Sequence, residues 1–134
     1  MQDNAAFSLI EVISVLVISS ILVIIAIPSY HSYARKSRRT EGIHSIYALR
    51  LAEEKYRAIN STYGTLAQVQ SLAGVPLSNH YTCSITNNDA SGYLITATAL
   101  GDQANDTANG TACNILQFEL NNTAETKTPA ICWQ

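Results

Sequence analysis

The chain has 134 residues, with eight Lys and Arg against ten Asp and Glu, a formal net charge of −2 and 47% hydrophobic residues. That charge excludes a globally basic nucleic-acid binder, and that hydrophobic share excludes a disordered polar tail. Charged residues make up only 13%, against a usual share of about 25%, and no Asp, Glu, Lys or Arg stands between Glu11 and Arg35. Setting that stretch apart leaves about 100 residues, enough for one small module with its own core and little room for an enzyme.

Val12 to Pro28 reads VISVLVISSILVIIAIP, and Ser29 to Ala34 adds polar but uncharged residues. As a helix, 17 residues reach about 25 Å and 23 reach about 35 Å, which brackets a hydrocarbon core of about 30 Å. A cleaved secretory signal pairs a positive start with a shorter apolar run, and MQDNAA holds no Lys or Arg. A buried core helix of this length does not suit so small a domain. The run therefore predicts a membrane-spanning or filament-core helix. Glu11 sits inside the apolar stretch, behind Phe7-Ser8-Leu9-Ile10. A carboxylate at hydrocarbon depth costs at least a few kcal/mol and needs a partner. Either Glu11 reaches headgroup level, or it pairs with a positive charge supplied from elsewhere, since no Lys or Arg lies within two helical turns of it.

Arg35, Lys36, Arg38 and Arg39 open a second helical stretch. Tyr47, Ala48, Leu51, Ala52, Tyr56 and Ile59 recur at i, i+3, i+4 spacing and predict an apolar stripe, with Arg50, Glu53, Glu54 and Arg57 opposite it. Glu53 and Arg57 have the spacing of a favourable i,i+4 pair. The expected result is one helix from about Phe7 to about Asn60, ended by the turn residues Asn60 to Gly64. A short helical or loop segment follows over Thr65 to Ala73. The period then changes to two: Tyr81 to Thr86 and Tyr93 to Leu100 read as strands joined by a loop at Asn87 to Gly92. Asn114 to Leu120 reads as a third strand, Gly101 to Ala112 as loop, and Ile131 to Trp133 as a short fourth strand. The predicted class is α+β, a long helix with an antiparallel sheet of three to four strands on its apolar stripe.

The candidate sites are few. The basic cluster Arg35, Lys36, Arg38 and Arg39 could contact DNA or anionic lipid, and the plainer reading is a charged collar at a membrane surface or subunit interface. After Ile59 there is one Lys against five Asp and Glu, so DNA capture by this part is left open but not indicated. Asp89, Asp102 and Asp106 match no calcium-loop spacing and read as solvated loop carboxylates. His31, His44 and His80 are scattered and there is no CxxC or HExxH, so no metal or cofactor is predicted. No nucleophile–base set stands out, so no catalytic residue is assigned. Cys83, Cys113 and Cys132 allow three different single disulfides, and any of them requires an oxidising compartment.

The block A-F-S-L-I-E-V, the apolar run and I-A-I-P-S-Y together resemble type IV pilins. In that family a short leader is cut before a Phe, the new terminus is methylated, and the fifth mature residue is Glu. The resemblance implies cleavage between Ala6 and Phe7, methylation of Phe7, and assembly roles for Glu11 and Pro28. It also supplies a partner for Glu11, the new α-amino group on its own or a neighbouring chain. Ala6 stands where Gly is usual, the leader carries no Lys or Arg, and Ser20 stands where many members have Gly. The segments L-A-E-E-K-Y-R-A-I-N-S-T-Y and C-N-I-L-Q-F-E-L…T-K…C-W resemble a subgroup of minor pilins. By that resemblance Cys113 and Cys132 are paired. Cys83 alternates with Tyr81 and Ile85 on one strand face and reads as a buried free thiol.

The organisation implied is a leader at 1–6, a transmembrane or filament-core helix at 7–34, and a periplasmic, later extracellular, head at 35–134. A positive-inside count alone would put the head in the cytoplasm, because the basic cluster follows the apolar run. The cysteines and the resemblance put it outside. The implied function is a structural subunit of a type IV pilus, most simply a minor pilin. Partners would be other pilins through the N-terminal helix, the prepilin peptidase, and the inner membrane before assembly. A major pilin, a type II secretion pseudopilin and a DNA-binding receptor pilin share the fold. Abundance in sheared filaments, a calcium loop and a DNA mobility shift would separate them.

Overall fold

A computed structural model describes residues 8–74 and 78–134. The chain divides into two units, one ending at Ala34 and one beginning at Arg35. In the first, helix α1 (Leu9–Arg57) starts one residue after Ser8, and none of its apolar window is buried. By length and composition this helix is long and apolar enough to cross a membrane. Pro28 stands within α1; its ring nitrogen has no hydrogen to donate, so the carbonyl one turn back loses its usual partner.

The second unit is an antiparallel sheet packed on the remainder of α1. The strands are β1 (Tyr81–Thr86), β2 (Gly92–Ala99), β5 (Ile115–Asn121) and β6 (Ala124–Thr128), in the order β1-β2-β5-β6, with a separate two-stranded ribbon of β3 (Thr107–Ala108) and β4 (Thr111–Ala112). Alternation decides the faces. Tyr81 and Cys83 of β1, Tyr93, Ile95 and Ala97 of β2, and Leu116 and Phe118 of β5 turn inward and meet Ile46, Leu49 and Ala52 of α1 in one core. Gly42 lets α1 approach the sheet, because a Cβ there would fall 2.8 Å from the ring of Tyr81. Gly92 does the same between strands, where a Cβ would meet the carbonyl oxygen of Leu120.

Three expectations needed correction. The apolar stripe on α1 is rotated by about one position from the predicted one. Tyr47, Leu51 and Ile59 are exposed, while Ile46, Leu49, Ala52 and Glu53 are fully buried. The true row is Arg39, Gly42, Ile46, Leu49, Glu53 and Tyr56, a regular 3-4-3-4-3 spacing that two charged residues and a glycine disguise. The predicted Glu53–Arg57 pair does not form: Glu53 accepts a hydrogen bond from Gly64, and Arg57 donates to the carbonyls of Asn60 and Ala90. The fourth strand is Ala124–Thr128, and Ile131 to Trp133 instead lie in a 3-10 turn (Ala130–Trp133). AETKT shows no apolar alternation because it is an edge strand with little burial, and Pro129 ends it.

Elsewhere the boundaries shift by a few residues. The helix stops at Arg57, and Asn60 caps it through its backbone N–H and its side chain, both donated to the carbonyl of Tyr56. Segment 65–73 forms α2 (Leu66–Val69) and a 3-10 turn at Gln70–Leu72. The expected loop at 101–112 holds a 3-10 turn (Gly101–Asn105) and the ribbon, whose tip Asn109-Gly110 takes positive φ at both residues, as a two-residue hairpin turn requires.

Candidate functional site

Two regions of the described chain carry the candidate residues. In the first unit Glu11 lies in the first turn of α1, where the helix dipole favours a negative charge. Its neighbours Leu9, Ile10, Val12 and Ile13 are exposed, and among the described residues no cation forms an ion pair with Glu11. Ser14 and Ser20 donate their hydroxyls to the carbonyls of Ile10 and Val17 within the helix, which hides two polar groups in a surface built to be apolar. The scissile position between Ala6 and Phe7 lies outside the described residues.

In the second unit two members of the basic cluster, Arg35 and Arg39, are engaged. Arg35 grips Asp102 through two bonds, Nη2 to Oδ1 at 2.7 Å and Nε to Oδ2 at 3.0 Å. Arg39 grips Asp106, Nε to Oδ2 at 2.7 Å and Nη2 to Oδ1 at 3.2 Å, and both side chains are buried. Asp106 is therefore not a solvated loop carboxylate, while Asp102 stays at the surface; the two pairs together pin the 3-10 turn to the start of the head helix. Gln103, also buried, completes the clamp by donating to the carbonyl of Arg35 and the hydroxyl of Tyr81. Asp89 stays at the surface and caps its own turn, accepting from Ser91 N–H, Ser91 Oγ and Gly92 N–H. Those three donors, the Ser91 hydroxyl first, hold its carboxyl below the ordinary range.

Cys113 and Cys132 form the disulfide, as the resemblance implied, and Cys83 is a buried free thiol, as its alternation on β1 predicted. The bridge ties the start of β5 to the C-terminal 3-10 turn. Cys113 N–H donates to the carbonyl of Asp106, so the bridge abuts the buried ion pair. The same turn presents Trp133, whose ring sits edge-on to Tyr47. Lys127 lies over both rings and donates to the Tyr47 hydroxyl at 2.8 Å. Beside it Arg50 pairs with Glu125 and lies over Phe118. The T-K…C-W tail is thus a packing device that fastens β6 and the C-terminus to α1.

Sequence reasoning missed Glu53, a fully buried carboxyl in the row that faces the sheet, and its i+4 relation to Leu49 was the available signal. Among the described residues no cluster of His, Cys, Asp and Glu could hold a metal ion.

The comparisons with known families bear on this geometry. The family model described as "Type IV minor pilin ComP, DNA uptake sequence receptor" matches residues 28–117, from Pro28 through the collar, β1 and β2 into β5. The chain belongs to the type IV minor pilin ComP family. A second model, the prokaryotic N-terminal methylation motif, matches residues 1–27, which include Ala6, Phe7 and Glu11. No curated protein and no solved structure matches the chain. The minor-pilin reading and the α+β pilin fold therefore stand together: a long N-terminal helix, a four-stranded antiparallel sheet, and a methylation motif ahead of them. Such families are structural rather than catalytic. The family's description also names DNA, which net charge alone had set aside.

Proposed function

We propose that this chain is a minor subunit of a type IV pilus whose head contacts DNA. In this reading it is made as an inner-membrane prepilin with the head on the periplasmic side, cut between Ala6 and Phe7, methylated at Phe7 and packed by its helix among other pilins. Glu11 then pairs with the α-amino group that cleavage creates, its own or a neighbour's. An unpaired buried charge is strongly unfavourable, so the pairing sets the axial register of the subunit. Pro28, within the same helix, removes one backbone bond where the helix must accommodate its neighbours.

The observation that carries the DNA part is the family match across residues 28–117, which takes in most of the head. The charge distribution limits how DNA would be held. Residues 35–134 hold eight Lys and Arg against eight Asp and Glu. Arg35, Arg39 and Arg50 are engaged by Asp102, Asp106 and Glu125. Lys36, Arg38, Lys55, Arg57 and Lys127 are left without a bidentate carboxylate partner. Few phosphates can be neutralised, so the salt dependence should be shallow, with a slope of about −0.9 per phosphate contacted. The test is a mobility shift with the full chain in detergent micelles and duplex DNA, across a salt series. Binding that weakens by a slope of a few units supports the reading. No retardation at low salt contradicts it.

A further inference from the structure

We propose that Glu53 is a protonation switch: its neutral carboxyl holds the segment from Gly64 to Gly74 against α1, and its ionised form releases that segment. Glu53 is fully buried on the sheet-facing row of α1. Oε2 accepts the Gly64 N–H at 2.8 Å, and Oε1 has no partner. The groups that face it do not compensate a charge. Glu54, beside it on α1, has the same sign. Tyr63 from the turn after α1 and Tyr93 from β2 are neutral, and the Tyr93 hydroxyl is itself buried without a partner. The nearest arginines on α1 are engaged elsewhere: Arg57 donates to the carbonyls of Asn60 and Ala90 and lies over Tyr63, and Arg50 pairs with Glu125.

A buried carboxylate with one hydrogen bond and no cation is costly, whereas the neutral acid keeps the Gly64 bond and leaves only one uncharged oxygen unpaired. Burial raises the Glu53 carboxyl above its ordinary range, with the Gly64 N–H opposing and Glu54 adding to the rise. The escape available to the ionised form is local. Residues 60–62 are exposed, and α2 with its following turn contributes only Val69 and Ala73 to the buried core. The other attachments are the Tyr63 N–H to the Asp89 carbonyl and Lys55 Nζ to the Leu72 carbonyl at 3.5 Å. Gly64 packs closely there: a Cβ would lie 2.7 Å from Val69 and 3.1 Å from Tyr56, so the bond to Glu53 holds Val69 against α1. No strand of the sheet and neither cysteine of the bridge lies in this segment.

The sign follows from the raised folded-state value. The closed segment is fully favoured below the ordinary carboxylate range; its opening constant rises by up to about tenfold per pH unit between that range and the raised folded-state value, and levels off above it. The test is amide hydrogen exchange on the full chain in detergent micelles between pH 4 and pH 8, corrected for intrinsic rates. The expected result is that protection in residues 64–74 falls by up to about tenfold per unit from the ordinary carboxylate range upward and then levels off, while β2 and β5 keep theirs. Glu53→Gln stays neutral and retains the acceptor, so its protection should not vary with pH. Protection independent of pH in the unsubstituted chain, or a pH dependence that survives in the Gln variant, would overturn the proposal. Carboxyl-carbon NMR of the unsubstituted chain provides a test that does not require the variant to fold. Glu53 and the Gly64 amide should titrate together, and a Glu53 already ionised at pH 4 would also overturn it.

Discussion

The buried pair Arg39–Asp106 offers the sharpest energetic test of the head. Its side chains are 6% and 3% exposed, and the guanidinium meets both carboxylate oxygens, at 2.7 and 3.2 Å. Removing one partner leaves the other charge buried without compensation, a cost of about 3–5 kcal/mol. Arg39→Met and Asp106→Leu should each fall in that range. The double variant replaces the pair by apolar groups and should cost about 1 kcal/mol or less, because nothing charged is stranded. The neighbouring pair Arg35–Asp102 sets the contrast: its side chains are 26% and 48% exposed, so Arg35→Ala should shift the midpoint far less than either buried variant. Trp133 is the only tryptophan, which makes urea titration of the full chain in detergent, read by fluorescence, a report on the head. With a slope of about 1 kcal/mol per molar, the Arg39 or Asp106 single variants should move the midpoint by about 3 M or unfold the head outright. Single costs that simply add in the double variant would refute the coupling.

Other predictions follow from the same geometry. Cys113→Ala and Cys132→Ala should each cost about 3 kcal/mol from the chain-entropy of a loop with sequence separation 19, and the double variant no more than either, since one bond is lost. Cys83→Ala should cost about 1 kcal/mol or less in the same urea titration, as a small buried truncation. The Asp89 carboxyl lies below its ordinary range in the folded state, so its contribution is present at neutral pH and lost as the pH falls through that range. An acid titration should show a shallower loss in Asp89→Asn. Glu11→Ala should leave membrane insertion unchanged and deplete the chain from sheared pili, measured by cell fractionation, because it removes a charge partner and no hydrophobicity. Normal recovery in pili would mean that Glu11 has no pairing role.

Much of the fold was legible because single periodicities dominate it. The apolar run, the strand Tyr81–Thr86 and the change of period at residue 81 all announce themselves, since lipid or a two-sided sheet imposes one pattern on each. The parts that were not legible are those where a polar group is buried with a partner far along the chain. Arg39 and Glu53 occupy inward positions of α1, so a search for apolar spacing slid to the neighbouring row of Tyr47 and Leu51. Asp102 and Asp106 looked like loop carboxylates because their arginines lie 67 residues away in sequence. The edge strand Ala124–Thr128 has no alternation to read, and Ile131–Trp133, which has some, is curled into a turn beside the Cys113–Cys132 bridge. The disulfide came from resemblance to known pilins rather than from spacing, and the structure places both sulfurs in the core.

The central claim, a prepilin processed into a pilus subunit, is tested most directly by the intact mass of the chain recovered from sheared filaments. The account predicts a chain that begins at Phe7, carries one methyl group on its terminal nitrogen and retains the Cys113–Cys132 bridge. A filament-borne chain that still begins at Met1, or that lacks the N-methyl group, would contradict it.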